Sequence, residues 1–261
     1  LEPACGIGHF FGMLPDSMQN SNLYGIELDG LTGRIAKQLY PNANISITGF
    51  EKTELPDSFF DLAIGNVPFG NYKINEKRYD SNNFLIHDHF FAKALDKVRP
   101  GGVVAFITSK GTMDKQNPGV RRYLAQRAEL LGAIRLPNNA FKNAGTEVTS
   151  DIIFLQKRDR PMDVDRDWIH LDTNEDGITL NSYFVEHPEM ILGIMDMKSG
   201  QFGMESTCTP LPNTDLSEQL SIAVKDIEGS IPEIDLIDME VDADTSIPAD
   251  PTVKNYSFTL V

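Results

Sequence analysis

A chain of 261 residues, 41% of them hydrophobic, has material for one substantial core and an appendage. No apolar run approaches membrane-spanning length, and two cysteines so far apart, Cys5 and Cys208, exclude a disulfide framework and point to a reducing, cytoplasmic setting. The net charge of −15 speaks against a nucleic-acid partner only until the chain is divided: residues 1–160 carry 19 Lys/Arg and 17 Asp/Glu, residues 161–261 carry 4 and 21, and Asn66 to Lys142 alone holds 13 basic and 6 acidic residues.

The chain opens on Leu1-Glu2-Pro3, which reads as the end of a buried strand entering a turn, so the strand is expected to begin upstream of Leu1. Apolar runs and amphipathic stretches then alternate. Strands are predicted over Asn22–Glu27, Ile45–Thr48, Phe60–Gly65, Val103–Thr108, Gly132–Leu136 and Asp151–Gln156. Helices are predicted over Leu31–Tyr40, His89–Val98 and Val120–Leu131, the second stopping at Pro100-Gly101-Gly102. Such alternation implies parallel strands joined by crossover helices, a doubly wound α/β sheet. After Arg160 the pattern breaks: 161–208 reads as a connecting segment, and from Thr209 to Val261 as an acidic irregular linker or tail rich in Pro, Ser, Thr, Asp and Glu.

Three motifs carry chemistry. In Glu2-Pro3-Ala4-Cys5-Gly6-Ile7-Gly8 a strand end meets a glycine turn and a helix start, letting a ligand approach the backbone closely. The spacing of Gly6, Gly8 and Gly12 is one residue too long for a dinucleotide fingerprint, and the carboxylate of Glu2 suits a cationic ligand better than a pyrophosphate. In Tyr24-Gly25-Ile26-Glu27-Leu28-Asp29, Glu27 lies where a doubly wound fold grips ribose hydroxyls, about 20 residues past the turn. Asp29 fits a helix cap better. In Asn66-Val67-Pro68-Phe69-Gly70, at the mouth of a buried strand, the Asn66 side-chain oxygen and a backbone carbonyl are able to accept the two N–H bonds of a planar amine, and Phe69 to stack on its ring. The plain reading of that last motif is a turn, with Pro68 setting φ and Phe69 in the core.

In this order and spacing the motifs resemble class I S-adenosylmethionine-dependent amino-methyltransferases, and more narrowly DNA adenine-N6 methylases with the cofactor motif first. The resemblance covers residues 1 to about 158 and implies a mostly parallel seven-stranded sheet. It also implies S-adenosylmethionine as cofactor, held by Glu2, Pro3, Ala4, Gly6, Gly8, Glu27, Phe50 and Asn66, and a catalytic tetrad at Asn66, Val67, Pro68 and Phe69. The family commonly has an Asp-Phe pair on the third strand. Gly49-Phe50 stands there, so Phe50 stacks and Glu51 or the backbone substitutes for the Asp. Val67 departs from the family's Asn/Asp-Pro-Pro-Tyr/Phe pattern but keeps the carbonyl. Phe141 matches the second aromatic clamp on a flipped base, so Phe69 and Phe141 are the substrate-binding pair. Stretches such as NVPFG, HDHFFAKALDKVRPGG and FITSKGTMDK resemble the methylase part of methylase–helicase proteins of phages and conjugative elements, which implies DNA as partner and a helicase domain elsewhere in the full-length chain. No nucleotide-phosphate loop occurs in these 261 residues.

Other patterns carry less. Asp172–Gly177 copies the start of a calcium loop, but Tyr183 stands at the twelfth position. His87 and His89 flank Asp88 without a third ligand nearby, and read as helix-start residues; no metal site is expected. Cys5 packs in the turn and is no nucleophile. The tetrad also fits transfer to a glutamine side-chain amide in a protein, and a non-catalytic module binding cofactor or DNA stays open as well.

Overall fold

The computed structural model describes residues 1–200 and 203–233. The chain divides into a unit Leu1–Ile231 and a unit Pro232–Val261, and the described structure is essentially that of the first. Of the predicted acidic tail, everything from Ile234 onward lies outside the described residues.

The strands are β1 (Tyr24–Glu27), β2 (Asn44–Ile47), β3 (Phe60–Asn66), β4 (Val98–Ser109), β5 (Ala128–Leu136), β6 (Ser150–Lys157), β7 (Leu171–Thr173), β8 (Thr179–Asn181), β9 (Ile194–Gly200) and β10 (Gly203–Thr209). The helices are α1 (His9–Gly12), α2 (Gly30–Leu39), α3 (Ile86–Lys97), α4 (Gly111–Asp114), α5 (Gly119–Arg127), α6 (Ser182–Glu186) and α7 (Leu216–Ala223).

The main sheet runs β3-β4-β6-β5, with β3 and β4 parallel and β6 antiparallel to both its neighbours. A separate parallel pair is formed by β1 and β2. The expected seven-stranded sheet is therefore corrected to a four-stranded mixed sheet and a two-stranded one. Leu1 N donates to Leu62 O (2.8 Å) and Ile64 N to Leu1 O (2.9 Å), while Glu2 N donates to Tyr24 O (2.8 Å) and Ile26 N to Glu2 O (2.9 Å). Leu1 and Glu2 thus bridge β3 to β1 and set the two sheets edge to edge.

Local sequence explains the elements. Asp29 caps α2, its carboxylate accepting from Leu31 N (3.1 Å) and Thr32 N (2.7 Å). Helix α3 is buried on most of its circumference, with Phe90, Phe91, Ala94 and Leu95 in the core and His87, Asp88, His89 and Lys93 buried as well. Within β4, Gly101 at φ 75° sits in the irregularity where the pairing with β3 steps from Phe60–Val98 to Leu62–Val103. The predicted helix Val120–Leu131 ends at Arg127. Ala128 is already extended (φ −144°, ψ 154°) and pairs with Lys157, so Ala-Glu-Leu-Leu, good helix formers, are drawn into β5 by the ladder with β6.

The segment 161–208 packs on this frame. Trp168, Ile169, Leu180, Phe184 and Met190 join the main core, and the fully buried Arg121 donates from Nε to Ile169 O (2.7 Å). The calcium-like loop is the turn between β7 and β8, closed by Ile178 N on Asn174 Oδ1 (2.8 Å), with Gly177 at φ 75°. Strands β9 and β10 pair as an antiparallel ribbon, fixed at its base by Cys208 N on Thr149 Oγ1 (2.9 Å) and by Lys110 Nζ on Ser206 Oγ (2.6 Å). Irregular chain was expected from Thr209 on. Instead α7, capped by Asp215, sets Leu216, Leu220 and Ala223 on the core. The signal was present as an Asp cap followed by apolar residues at helical spacing. Among the described residues no helix is long and apolar enough to cross a membrane.

Candidate active site

Glu27, at the end of β1, organises the glycine turn from below. Its Oε2 accepts from Gly6 N (2.8 Å) and its Oε1 from Asp29 N (2.8 Å), while Cys5 N bonds Ile26 O (2.9 Å). One lone-pair direction remains on each carboxylate oxygen. Gly6 (φ 55°) and Gly8 (φ 87°) both lie in the left-handed region. A Cβ on Gly8 would meet the Tyr40 ring at 2.5 Å, so the turn closes only with glycine there. Burial pushes the Cys5 thiol up to about 12, which keeps it protonated and inert.

Glu2 is 2% exposed, and its Oε2 has no hydrogen-bond partner. Burial pushes its carboxyl up to about 8, and the neighbouring Glu27 adds to the rise. A buried acid in that condition gains most from a cation placed beside it.

A cavity of about 410 Å3 opens against this turn, lined on one side by Pro3, Ala4, Glu27 and Leu28 and on another by Thr48, Gly49, Phe50 and Glu51. Asn66 and Pro68, at the carboxyl end of β3, complete the rim. Of the residues singled out in the sequence, Pro3, Ala4, Glu27, Phe50, Asn66 and Pro68 are therefore brought together around one space. Glu2, Gly6 and Gly8 adjoin it through the turn without lining it.

Phe50 is buried at 2% exposure and tilts against Phe90, ring centroids 5.1 Å apart. A side chain at position 49 would fall 2.3 Å from the Glu51 carboxylate oxygens, so the Glu51 carboxylate fills the space that an Asp at 49 would take. Asn66 is exposed, while Val67 is buried and donates its N–H to Ile107 O (3.1 Å). Phe69 is half-buried and outside the cavity lining. Phe141 is half-buried and packs on the main core. No ring contact among the described residues joins these two.

Sequence reasoning missed the fourth wall, made of Tyr72, Ile74, Ile86 and Phe90. Tyr72 and Ile74 sit in a connection with no periodic pattern, and only Phe90, through the helical period of α3, was legible. The basic excess between Asn66 and Lys142 also divides. Lys93, Lys97, Arg121 and Arg135 are buried, and Arg135 is locked to Asp151 by two bonds (2.8 and 2.9 Å). Lys73, Lys77, Arg122 and Lys142 are exposed, with Lys73 Nζ donating to Asn83 Oδ1. His87 and His89 lie in the first turn of α3, both buried, with His89 Nε2 on Glu76 Oε2 at 2.7 Å.

Residues 36–141 match the Eco57I restriction-modification methylase family, which agrees with the resemblance read from the motifs. The chain is 30% identical over 191 residues to the Defense against restriction protein B of Escherichia phage P1, an alignment covering 71% of this chain. The chain spans about 8% of the length of that relative. Two solved structures share the fold. One is a putative class I S-adenosylmethionine-dependent methyltransferase from Listeria monocytogenes (TM-score 0.51, 20% identity, 63% of this chain and 54% of that one). The other is a modification subunit of a putative type I restriction enzyme from Vibrio vulnificus (TM-score 0.50, 18% identity, 82% and 54%). The fold is thus that of class I methyltransferases.

Proposed function

We propose that this chain is the methylase part of a larger methylase–helicase protein and transfers a methyl group from S-adenosylmethionine to the N6 amine of adenine in DNA. The observation that carries the reading is the single cavity that holds the Glu27 turn on one side and Asn66-Pro68 on the other, so that a cofactor site and an amine-gripping motif share one space.

The residues fit the cofactor. A volume of about 410 Å3 is within the range of small-molecule sites. The partnerless Glu2 Oε2 suits the positive charge of the methionine end. The free lone pairs of Glu27 suit ribose hydroxyls. Phe50 and the apolar wall suit adenine, with Glu51 taking the part of the Asp absent at 49. S-adenosylmethionine, when bound, supplies an electrophilic methyl group.

The adenine amine is a weak nucleophile because its lone pair is delocalised into the ring. Asn66 Oδ1 and the Val67 carbonyl accept its two hydrogens and favour a pyramidal nitrogen whose lone pair is directed out of the ring plane. Catalysis is then positioning and electrostatics, and the proton leaves after transfer without a strong general base. In duplex DNA the target must leave the stack, with Phe69 as the platform that receives it, Phe141 as a second aromatic on the base side, and Pro68 stiffening the turn. The exposed Lys73, Lys77 and Lys142 are the residues offered to phosphates.

The test is mass-spectrometric detection of N6-methyladenine in DNA incubated with the full-length protein and labelled cofactor. Asn66→Ala is expected to lower transfer by at least about 100-fold, the scale of losing one oriented hydrogen bond in a transition state, with a much smaller loss of affinity for S-adenosylhomocysteine. Normal turnover in Asn66→Ala would overturn the amine-grip mechanism.

A further inference from the structure

The part of the β3–α3 connection beyond the third motif, residues 71–85, forms a wall of the cavity through Tyr72 and Ile74. It is held down rather than draped. Glu76 bridges two buried basic side chains of α3, with Oε2 at 2.7 Å from His89 Nε2 and Oε1 at 3.0 Å from Lys93 Nζ. Arg78 pairs with Asp57 (2.7 Å) and Asp96 (3.0 Å), and Tyr79 Oη donates to Asp96 (2.6 Å). At the far end Ile86 N donates to Tyr72 O (2.9 Å).

We propose that this connection is a cofactor-binding strap, in which Tyr72 and Ile74 contact the adenosine of the cofactor and Glu76 is the residue that positions them. The proposal rests on the reading of the cavity as an S-adenosylmethionine site.

The chemistry of Lys93 ties the strap to the floor of the cavity. Its ammonium is 1% exposed and sits 5.0 Å from the centroid of the Phe50 ring, with Thr53 O as a second acceptor at 3.3 Å. Burial lowers the proton affinity of both Lys93 and His89, so each depends on the Glu76 carboxylate as acceptor. His89, neutral under that burial, donates from Nε2 to Glu76 Oε2. Glu76 thus satisfies a cation beneath Phe50 while fixing the backbone two residues beyond Ile74. Lifting the strap would strand Lys93 without its counter-ion, which a protein interior penalises heavily. Tyr72 is 54% exposed and lines the cavity together with the rings of Phe50 and Phe90. A flat purine is the ligand shape that such an arrangement takes.

The experiment is calorimetric titration of the full-length protein with S-adenosylhomocysteine, with ligand-free thermal unfolding followed in parallel. Tyr72→Ala is expected to bind about tenfold more weakly, with unchanged Tm because the residue lies at the surface, and Tyr72→Phe to bind as wild type does. Glu76→Gln is expected to raise KM for S-adenosylmethionine about tenfold while kcat stays within about twofold, the pattern of lost ground-state binding. Wild-type affinity in Tyr72→Ala overturns the strap proposal and leaves the cofactor reading standing. A fall in kcat without a rise in KM for Glu76→Gln removes the positioning role. Absence of binding by the wild-type protein overturns the cofactor reading and the strap together.

Discussion

The two halves of the sheet are built on different principles. Around β1, β2 and α2 the buried apolar cluster is only Cys5, Phe11, Ala36 and Ile45. Leu31, Ile35 and Leu39 on α2 stand 62%, 42% and 54% exposed. That half is held by backbone: the bridges of Leu1 and Glu2, the Glu27 bonds to Gly6 and Asp29, and the Asp29 cap. Around β3 to β6 the cohesion comes from side chains instead. Phe91, Phe106, Leu155 and Ile134 are fully buried, and Arg135 lies between Asp151 and Asp114 with its guanidinium 4.3 Å from the centroid of the Phe184 ring. Burial works against that guanidinium, and the two carboxylates keep it charged. The lesson is that the half carrying the glycine turn is open and geometrically specified, while the half that gives the cavity its Asn66 rim and its α3 wall also supplies the stability that makes such openness tolerable.

The largest effect expected is in the dense half. Asp151→Ala leaves Arg135 with Asp114 alone, and chemical denaturation should show a loss of about 3–5 kcal/mol. A loss near zero would mean that the half is held by apolar packing and that the ion pair is incidental. An intermediate effect is expected at the turn. Gly8→Ala adds a Cβ against the Tyr40 ring at a positive φ, and should cost about 1–3 kcal/mol, together with weaker cofactor binding. If Gly8→Ala were as stable as wild type, the turn would be more yielding than the backbone argument allows. The smallest effect is expected on α2, where Leu31→Ser should stay within about 0.5 kcal/mol, as befits a residue 62% exposed. A loss of the size seen at a core leucine would show that α2 is covered by something in solution.

Much of this was legible in the sequence because it depends on local pattern. The alternation of apolar runs located six strands and three helices to within a few residues, and Glu27, Phe50 and Asn66, taken from three separate motifs, fall around one cavity. Assigning Asp29 to the cap also followed from position alone. What was not legible depends on distant partners. Ala128–Leu131 has helix-forming composition and becomes strand because β6 pairs with it. Tyr72 and Ile74 have no periodic context, and their segment is held down by partners on other elements, among them His89 and Lys93 on Glu76 and Asp57 and Asp96 on Arg78. The basic excess was counted correctly, but the count does not distinguish Lys73, which faces solvent, from Arg135, which is internal. The seven-stranded sheet was expected from resemblance, whereas Leu1 and Glu2 bridge a four-stranded sheet to a two-stranded one.

The sheet also ends differently on its two sides. On one, β2 is only four residues long and carries Asn44 and Ser46. On the other, the outer side of β5 is met at Arg135 by Ile191, with Leu192 N on Arg135 O (2.9 Å), and at Ala133 by the Tyr183 hydroxyl. Strand edges are where one polypeptide can template another, since unsatisfied peptide groups there accept a foreign strand as readily as a native one. With one border brief and polar and the other partly capped by its own chain, the domain offers a poor seed for fibrillar growth.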